Sequence, residues 1–524
     1  MKTNQPHTIF YVFYVSIIVA LGGFLMGFDA SVISGVVKFI EPEFNLSKIE
    51  LGWAVASLSL TATLAMVTAG PLSDRFGRKP VLKCAAALFF LSAIASALAP
   101  NFLTLVIARM VGGLGVGAAL IIAPMYIAEI GPAKYRGRMV SLNQLNIVLG
   151  ISVAFFTNFL ILRSAEIDSN WVQTLGLEKW NWRWMLGIEA IPALLYFICL
   201  SIVPESPRWL MMKGRSNEAL LILRKALGEQ AADKEVSQIS LSIDQQKNQT
   251  KGSFLELLKP SMRLVMIVGI SIAILQQITG INAVFFYAPM IFEQTGLGTD
   301  AAFMQAILVG LTNVVFTLVA IALIDKLGRK SLLVMGVSGI IVCMFSLAYQ
   351  FNAATYTLTA QAINALPAGI DMAALQPILG TTFNSDLAFK SAISELLGAG
   401  AAGQFESSLV SAAIQMNGTM ILLSILGFVA CFAVSLGPVM WVLFSELFPN
   451  RIRGIAISFV GLINSAVSFL VQLVFPWELA NLGATLTFAT YGGFALAGLL
   501  IILKYVPETK GKTLEELETL LVKN

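Results

Sequence analysis

Long apolar stretches recur from one end of this chain to the other, and they constrain its fold more than any other feature. Examples are residues 54–72, 98–120, 264–292 and 455–476, of which only the second contains a charged residue, Arg109. About 20 apolar residues in a helix cross the roughly 30 Å hydrocarbon core of a bilayer. Backbone groups in lipid must bond within helices or closed barrels, and these stretches are continuous rather than alternating. The sequence therefore predicts an all-α polytopic membrane protein with about twelve spans.

Composition and charge placement agree with a membrane location. Of the 524 residues, 57% are hydrophobic and 12% are charged, whereas an average soluble domain has about 25% charged residues. Basic residues concentrate in loops that share a side with the N-terminus, and the positive-inside rule places that side in the cytoplasm. We expect a multi-pass protein of the cell (inner) membrane, surrounded by lipid, with both termini cytoplasmic. Because each basic cluster lies between two spans, the clusters do not predict binding to nucleic acid.

The sequence contains two related halves. Three motifs occur twice in the same order: residues 74–79 resemble 325–330, residues 129–137 resemble 446–454, and Pro204-Glu205 resembles Pro507-Glu508. The members of the second pair lie further apart than those of the first, which indicates an insertion in the second half at 351–411. Parallel repeats of six spans predict two six-helix bundles related by a pseudo-twofold axis along the membrane normal, with a substrate site midway between them.

Four segments follow from this duplication. They are a first six-helix bundle at 1–203, a cytoplasmic helical linker at 204–262, a second six-helix bundle at 263–506 with an extracytoplasmic insertion at 351–411, and a cytoplasmic tail at 507–524. Within the linker, apolar periodicity predicts amphipathic helices at 216–227 and 231–246. The insertion is too polar to span a membrane, and we expect it to form a partly helical cap.

Charged residues of both signs recur in the predicted cytoplasmic loops of both halves. The bases alone could be topology signals and solvated loop charge, but those explanations leave the paired acids and their repetition unexplained. Carboxylates bond to arginines and to the N-terminal amides of helices, so such pairs can latch helix ends together. We expect them to hold the inner ends of the two halves together as a cytoplasmic gate. The candidates are Asp74, Arg75, Arg78, Glu129, Arg136, Glu205, Arg208, Asp325, Arg329, Glu446 and Arg453.

Two ionisable residues lie at membrane depth, Asp29 in span 1 and Arg109 in span 4. Burying such residues in lipid costs free energy, so each is a candidate functional residue by default. An acid and a base on spans of the same half suggest an ion pair, and protonation of Asp29 would release Arg109. Glu189 in span 6 could join them. We expect this group to couple a proton to a conformational change; the alternative is a static buried pair.

Span 7 contains Gln276-Gln277 followed by Asn282. Residues six apart do not share a face of a regular helix, so Gln276 and Asn282 can converge only where the helix unwinds, and Thr279-Gly280 and Pro289 favour such a break. Side-chain amides offer both donors and acceptors, which suits a ligand rich in hydroxyl groups. The alternative is hydrogen bonding between helices. The further candidates for ligand binding are Gln144 in span 5, Asn313 in span 8, Trp441 in span 10 and Asn464 in span 11.

Other chemistries find no support in the sequence. Gly511-Lys512-Thr513 resembles the end of a phosphate loop, but Val506 stands where the first glycine of that loop belongs. The single histidine, His7, lies in the N-terminal tail, and the four cysteines fall in or at the ends of apolar stretches, where a disulfide framework is unsupported. No nucleophile–histidine pair or metal-binding cluster is visible. We therefore expect no cofactor, no metal and no enzymatic activity.

Eight motifs distributed along the chain are GPLSDRFGRK, RMVGGLGVG, YIAEIGPAKYRGR, VPESPRWL, QQITGIN, DKLGRK, GPVMWVLFSELFPNRIRG and VPETKGKTLEE. With them, the chain resembles the sugar porter family of the major facilitator superfamily over nearly its whole length, and it is similar to bacterial proton-coupled monosaccharide symporters of the xylose type. The resemblance implies alternating access between two bundles. It also implies sugar binding by the residues at Gln144, Gln276, Gln277, Asn282, Asn313 and Trp441.

The resemblance also bears on proton coupling. Asp29 lies in the sequence MGFDA, at the position where proton-coupled members carry an aspartate and facilitative animal glucose transporters carry an asparagine. Some pocket positions depart from the family pattern. Span 11 reads Asn464-Ser465 where a tryptophan often follows the amide, and Phe286 stands where a hydroxyl is common. These differences predict a more apolar pocket and leave the identity of the sugar open.

The leading hypothesis is therefore proton-coupled import of a monosaccharide, a pentose or a hexose, by a protein that works as a monomer. Within transport, the alternatives are a facilitative sugar uniporter and a polyol (inositol) symporter driven by protons. An alternative from another functional class is a sugar sensor that does not transport. Sensors of this family tend to carry long cytoplasmic tails, whereas this sequence ends soon after PETKGKTLEELE.

Overall fold

The computed structural model describes residues 5–132, 135–248, 254–363, 366, 369–449, 451–512 and 516–517. Within these residues, twelve helical segments are long and apolar enough to cross a bilayer, which confirms the predicted number of spans. Helices of this length form because their backbone groups bond internally, while apolar side chains on all sides can face lipid or neighbouring helices.

The first six spans precede the polar linker. They are span 1 (Gln5–Glu43), span 2 (Lys48–Phe76), span 3 (Arg78–Ala97), span 4 (Phe102–Ile130), span 5 (Arg136–Ala165) and span 6, which consists of Leu177–Gly187 and Ala190–Ile202. A short helix, Asn170–Leu175, comes before span 6. Asn101 caps the start of span 4: its side chain accepts a hydrogen bond from the Thr104 backbone N–H at 3.0 Å and so satisfies one of the unpaired amides of the first turn.

The linker after span 6 is helical. Its helices are Pro207–Met212, Ser216–Leu227 and Glu229–Asn248, and 3₁₀ turns follow at Phe254–Leu258 and Pro260–Met262. The predicted amphipathic helices are confirmed, the first at its predicted bounds and the second slightly longer at both ends. In the first of them, Ala219, Leu223 and Ala226 are buried because their spacing places them on one face.

The last six spans follow the linker. They are span 7, which consists of Arg263–Ile278 and Ile281–Glu293, span 8 (Thr299–Leu327), span 9 (Arg329–Asn352), span 10, which consists of Gly418–Val434 and Leu436–Leu447, span 11 (Arg453–Asn481) and span 12 (Gly483–Tyr505). Spans 7 and 10 are each divided into two helices near the middle, and both breaks contribute to the site described below.

The insertion between spans 9 and 10 is a small α/β cap, which the sequence analysis predicted only as partly helical. It contains the helices Ala360–Ile363, Asp386–Leu397 and Ala399–Ala413, a 3₁₀ turn at Gln376–Ile378, and the strands β1 (Thr355–Thr357), β2 (Thr382–Phe383) and β3 (Ile414–Gln415). The strands form an antiparallel sheet of order β2-β1-β3. The buried Tyr356 stacks on Phe389. The strands are too short for their side-chain alternation to be recognised in the sequence.

Residue contacts divide the chain into two compact units. Unit 1 comprises Met1–Val32, Ser57–Ala154 and Arg183–Ser253, and unit 2 comprises Ile33–Ala56, Phe155–Trp182 and Phe254–Asn524. Unit 2 therefore includes the end of span 1, the start of span 2, the end of span 5 and the start of span 6, together with the second half of the chain. The boundaries of these units differ from the predicted halves, which remain a prediction.

Ion pairs within unit 2 explain why those helix ends belong to this unit. Lys38 at the end of span 1 pairs with Glu293 at the end of span 7. Arg163 at the end of span 5 lies 2.9 Å from Asp300 at the start of span 8. In the cap, Glu406 lies 3.0 Å from Lys390 and 3.6 Å from Lys48, the first residue of span 2.

Glycines let helices of unit 1 approach until their main chains touch. A Cβ added to Gly113 of span 4 would overlap the Leu58 carbonyl oxygen of span 2, and one added to Gly27 of span 1 would overlap the Ile147 carbonyl oxygen of span 5. Close approach of this kind gains dispersion contacts, which replace the hydrophobic driving force that lipid does not supply between helices.

We expect Gly113→Ala to destabilise the protein by about 1–3 kcal/mol, because the added methyl group overpacks the contact between spans 2 and 4. Gly493→Ala is the matched control, since nothing lies within 4 Å of a Cβ added to that glycine of span 12. Thermal unfolding of both variants in the same detergent measures the difference. A melting temperature of Gly113→Ala equal to that of Gly493→Ala would contradict the close contact.

Candidate functional site

Span 7 breaks in the middle, as its sequence predicts. The first helix ends at Ile278, where the Thr279 hydroxyl donates to the Gln276 carbonyl oxygen at 3.1 Å. Gly280 then adopts a φ of 87°, and the second helix begins at Ile281. A residue with a side chain is strained at this φ, so glycine is what allows the chain to turn here. The turn brings Asn282 back towards the residues that end the first helix.

A cluster of amides forms at this break, which we name the amide cluster and define as Gln276, Gln277, Asn282 and Asn464. The Asn282 Nδ2 donates to Gln277 Oε1 at 2.7 Å, and the Gln277 Nε2 donates to Asn464 Oδ1 at 3.1 Å. The Asn464 Nδ2 donates in turn to Gln276 Oε1 at 2.8 Å. The predicted convergence of Asn282 with the glutamine pair is thus confirmed.

The amide cluster is tied to the break in span 10 as well. The Gln276 Nε2 donates at 3.1 Å to the carbonyl oxygen of Leu436, the residue at which span 10 resumes after its interruption. Gln276, Gln277 and Asn464 are 6%, 9% and 6% exposed. Their amides therefore find hydrogen bonds within the protein, and these bonds can be exchanged for bonds to hydroxyl groups of a ligand without leaving a buried group unpaired.

Span 11 contributes two residues that the sequence analysis missed. The Ser468 hydroxyl accepts hydrogen bonds from Asn282 Nδ2 at 2.7 Å and from Gln472 Nε2 at 2.8 Å. Asn464, Ser468 and Gln472 recur at intervals of four, which places them on one face of the helix. That regular polar spacing in an apolar span was the signal that could have identified them.

The other predicted ligand-binding residues lie apart from these hydrogen bonds. Asn313 of span 8 is buried, and Trp441 of span 10 is 40% exposed with its ring edge-on to Phe444 at 6.0 Å. Gln144 of span 5 belongs to unit 1 and is exposed. A role in binding remains a prediction for these three residues.

A second polar group lies in unit 1, where Asp29 and Arg109 meet as predicted. The Arg109 Nη1 lies 3.4 Å from Asp29 Oδ1, and the two side chains are 1% and 3% exposed. Glu189 is also buried and interacts electrostatically with both residues. The other oxygen of Asp29 lies beside Gly112, where an added Cβ would come within 2.7 Å of it.

Two carboxyl oxygens of this group could each form a further hydrogen bond. Asp29 Oδ2 and Glu189 Oε1 are buried and have no hydrogen-bond partner among the residues that the structure describes. A buried polar atom without a partner is expensive and is uncommon in native proteins. A proton-coupling role for Asp29, Arg109 and Glu189 remains a prediction.

A charged network joins the helix ends at one side of unit 1. Arg78, the first residue of span 3, binds Glu129 through two hydrogen bonds of 3.0 Å and binds Asp74 at 2.8 Å. The Glu205 carboxylate accepts from the backbone N–H groups of Arg78 and Lys79 at 3.0 and 3.2 Å. The forked geometry of arginine suits such bidentate pairing with a carboxylate.

The second half repeats this network with equivalent residues. The Arg329 Nη2 donates to Glu446 Oε1 at 2.9 Å. The Glu508 carboxylate accepts from the backbone N–H groups of Arg329 and Lys330 at 2.9 and 3.1 Å. The repeat predicted from the sequence motifs is therefore present in the hydrogen bonds. Arg78 and Glu129 both lie in the first half, and Arg329 and Glu446 both lie in the second. A gate that holds the inner ends of the two halves together remains a prediction.

The remaining predicted gate residues have separate contacts. The Arg75 guanidinium lies 5.2 Å from the centre of the Phe76 ring, and Arg136 Nη2 lies 3.8 Å from Glu235 Oε1. The Arg208 Nη2 donates to Ser242 Oγ at 3.5 Å. The Arg453 Nε donates to the Phe448 carbonyl oxygen at 3.1 Å. The side chain of Asp325 lies outside the described residues. A gating function for these residues remains a prediction.

The equivalent carboxylates Glu205 and Glu508 differ in acidity. Burial raises the pKa of Glu205 despite its three backbone hydrogen bonds. Burial also acts to raise the pKa of Glu508, but the backbone N–H groups around it, including those at the start of span 9, hold that pKa below its ordinary value. The N-terminus of a helix stabilises negative charge in this way.

The twelve spans, the amide cluster and the buried ion pair define a multi-pass membrane transporter. Residues 15–374 and 394–521 match the family described as "Sugar (and other) transporter". The chain belongs to this family, the sugar porters of the major facilitator superfamily. The family match omits residues 375–393, which lie inside the cap.

Individual relatives agree over the full length of the chain. It is 35% identical to an arabinose-proton symporter of Bacillus subtilis, covering 100% of this chain and 98% of the relative. It is 36% identical to the D-xylose-proton symporter of Escherichia coli, covering 99% and 97% of the two chains. An inward-open structure of the xylose transporter XylE from E. coli superposes with a TM-score of 0.73 at 34% identity, covering 98% of this chain and 100% of that one. The major facilitator fold predicted from the sequence is thereby confirmed.

We expect Gln277→Ala to weaken sugar binding by about 1–3 kcal/mol, because it removes the amide that accepts from Asn282 and donates to Asn464 at the centre of the amide cluster. Calorimetric titration of the purified protein with monosaccharides measures the effect. Thr490→Val is the control, since Thr490 is exposed and its hydroxyl donates to the Leu486 carbonyl of its own helix. Wild-type affinity in folded Gln277→Ala protein would argue against a sugar site at the amide cluster.

We expect Glu508→Gln to lower the melting temperature at pH 7. A carboxylate whose pKa is lowered on folding stabilises the protein above its unfolded pKa of about 4.3, and this stabilisation is lost as the pH falls through the folded pKa. The difference from wild type should therefore shrink at acid pH.

Glu205→Gln is the matched control from the other half. Because the pKa of Glu205 is raised, its replacement should not lower the melting temperature at pH 7, and equal losses in both variants would contradict the assignment.

Proposed function

We propose that this protein is a symporter that imports a monosaccharide, a pentose or a hexose, together with protons by alternating access. The observation that carries the proposal is the buried Asp29–Arg109 pair in a chain of the sugar transporter family. Burying an ion pair at membrane depth costs free energy, so its presence points to a function, and a carboxylate there can take up and release a proton. The proton-coupled relatives support the same conclusion.

The amide cluster is proposed to bind the sugar. Its glutamine and asparagine side chains present donors and acceptors together, as each hydroxyl group of a sugar does. Both relatives named above transport pentoses, arabinose and xylose. A facilitative uniporter and a polyol symporter would use the same cluster, and transport measurements separate them from the proposed function.

The proton is proposed to act through Arg109. While Asp29 is ionised, Arg109 is held against it at 3.4 Å. A proton on Asp29 removes the negative charge of that pair, so Arg109 can turn towards Glu189, whose Oε1 has no partner among the described residues. The change repacks spans 1, 4 and 6, and it links the protonation state to the conformation of unit 1.

The two charged networks are proposed to have a mechanical role. Arg78 and Arg329 each fasten the start of one span to the end of another within the same half. A half that is fastened in this way moves as one body, and alternating access requires such movement of one repeat against the other. Weakening a network should therefore slow transport more than it weakens sugar binding.

The proposed location is the cell (inner) membrane. Both termini are proposed to lie in the cytoplasm, on the side where the positive-inside rule puts the basic loops. It is surrounded by lipid and works as a monomer, since each chain carries both the amide cluster and the Asp29 pair. It catalyses no chemical reaction, and its substrates are the sugar and the proton.

Uptake into proteoliposomes tests the proposal. For wild-type protein, we expect an imposed inward proton gradient to drive accumulation of a pentose or hexose. Asp29→Asn should abolish this accumulation and leave the exchange of labelled for unlabelled sugar intact, because the amide cannot be protonated but the sugar site is unchanged.

Glu166→Gln is the control for this test, since Glu166 is an exposed carboxylate next to Arg163 and outside the spans. It should accumulate sugar like wild type. Sugar entry that ignores the gradient in wild type, and that Asp29→Asn does not alter, would establish a uniporter instead.

A further inference from the structure

Tyr491 of span 12 packs its ring against the break in span 7. A Cβ added to Gly280 would overlap the Cδ2 and Cε2 atoms of this ring, so the ring lies directly against the main chain. Tyr491 is 2% exposed. The contact is made at the residue with a φ of 87°, where span 7 changes direction to bring Asn282 to Gln277.

The ring of Tyr491 is the end of a row of three aromatic rings beside span 7. Phe475 of span 11 lies between Tyr491 at 6.4 Å and Tyr287 at 5.1 Å, measured between ring centres. Tyr287 is the second irregular point of span 7, with a φ of −126° and a ψ of 17°. The aromatic row therefore reaches both ends of the short stretch that carries Asn282.

A hydrogen bond fixes the position of the Tyr491 ring. Its hydroxyl donates to Glu478 Oε2 of span 11 at 2.7 Å. Glu478 is separate from both the amide cluster and the Asp29 pair, and nothing in the proposed mechanism uses it. A phenol held at its hydroxyl by one helix and at its ring by another has little freedom to tilt, and rigid support of this kind keeps a binding site in its productive geometry.

We propose that Glu478 and Tyr491 are a pair of positioning residues that hold the break of span 7 in the form that assembles the amide cluster. Neither residue touches the sugar in this proposal; they act through Gly280 on the position of Asn282. What the cluster binds rests on the proposed function, but the positioning role does not. The competing explanation is that the hydrogen bond only satisfies a buried hydroxyl and contributes to general stability.

Three single variants and one double variant separate these explanations. Tyr491→Phe keeps the ring and removes the donor, and Glu478→Met keeps the length of the side chain and removes the acceptor. Glu478→Gln is the conservative variant, because its amide oxygen still accepts from the tyrosine hydroxyl. The double variant combines Tyr491→Phe with Glu478→Met.

The first measurement is hydrogen exchange at the span 7 break in protein without sugar. We expect peptides covering residues 276–283 to exchange faster in Tyr491→Phe and Glu478→Met, and at the wild-type rate in Glu478→Gln. Exchange in span 3 should be the same in all of them, because span 3 lies in the other unit. Wild-type exchange at the break in Tyr491→Phe and Glu478→Met, or equal acceleration throughout the protein, would overturn the positioning role.

The second measurement is sugar affinity. We expect Tyr491→Phe and Glu478→Met each to raise the Kd about three- to tenfold, as for the loss of one hydrogen bond. Since the two residues act as a pair, the double variant should show no further loss. Additive losses, or a loss in Glu478→Gln equal to that in Glu478→Met, would overturn the proposal. If the wild type bound no monosaccharide, the proposed function would fail, and the exchange measurement would still decide the positioning role.

Discussion

The hydrocarbon core of a membrane contains no water to bond with polar groups, and the rest of this structure depends on that constraint. It forces the backbone into helices and lets them break only where other groups satisfy the freed amides and carbonyls. The break in span 10 meets this condition, because Gln276 donates to the Leu436 carbonyl oxygen. Side-chain amides thus support irregular backbone at membrane depth, and the same amides are the ones proposed to bind the sugar.

The two polar groups inside the membrane satisfy the constraint differently. In the amide cluster, donors and acceptors are matched and can be exchanged for hydroxyl groups with little change in the number of bonds. In the Asp29 group, Arg109 pairs with Asp29 and interacts electrostatically with Glu189, and one oxygen of each carboxyl group has no partner among the described residues. A matched neutral cluster suits reversible binding of a sugar, whereas an unmatched charged group suits a change of protonation.

The duplicated charged networks show how far a repeated sequence specifies its contacts. The motifs around Arg78 and Arg329 predicted equivalent loops, and their equivalent bonds to Glu129 and Glu446 confirm this. The sequence left open which carboxylate each arginine binds, and in the structure each binds one of its own half. The repeated motifs show which charged residues recur in both halves. Only the packing of the helices decides which of several carboxylates lies within hydrogen-bond distance of each arginine.

The sequence by itself determined the spans, their number, the break in span 7 and the residues that carry charge or amides at membrane depth. These follow from local properties, since a continuous apolar stretch in lipid favours a helix and a glycine permits the positive φ at which a helix can break. Only the tertiary structure decided that Ser468 joins Asn282, that Glu478 holds Tyr491 against Gly280, and that short strands form in the cap. These contacts join residues far apart in the chain, and their geometry depends on how whole helices pack, which no short stretch of sequence encodes.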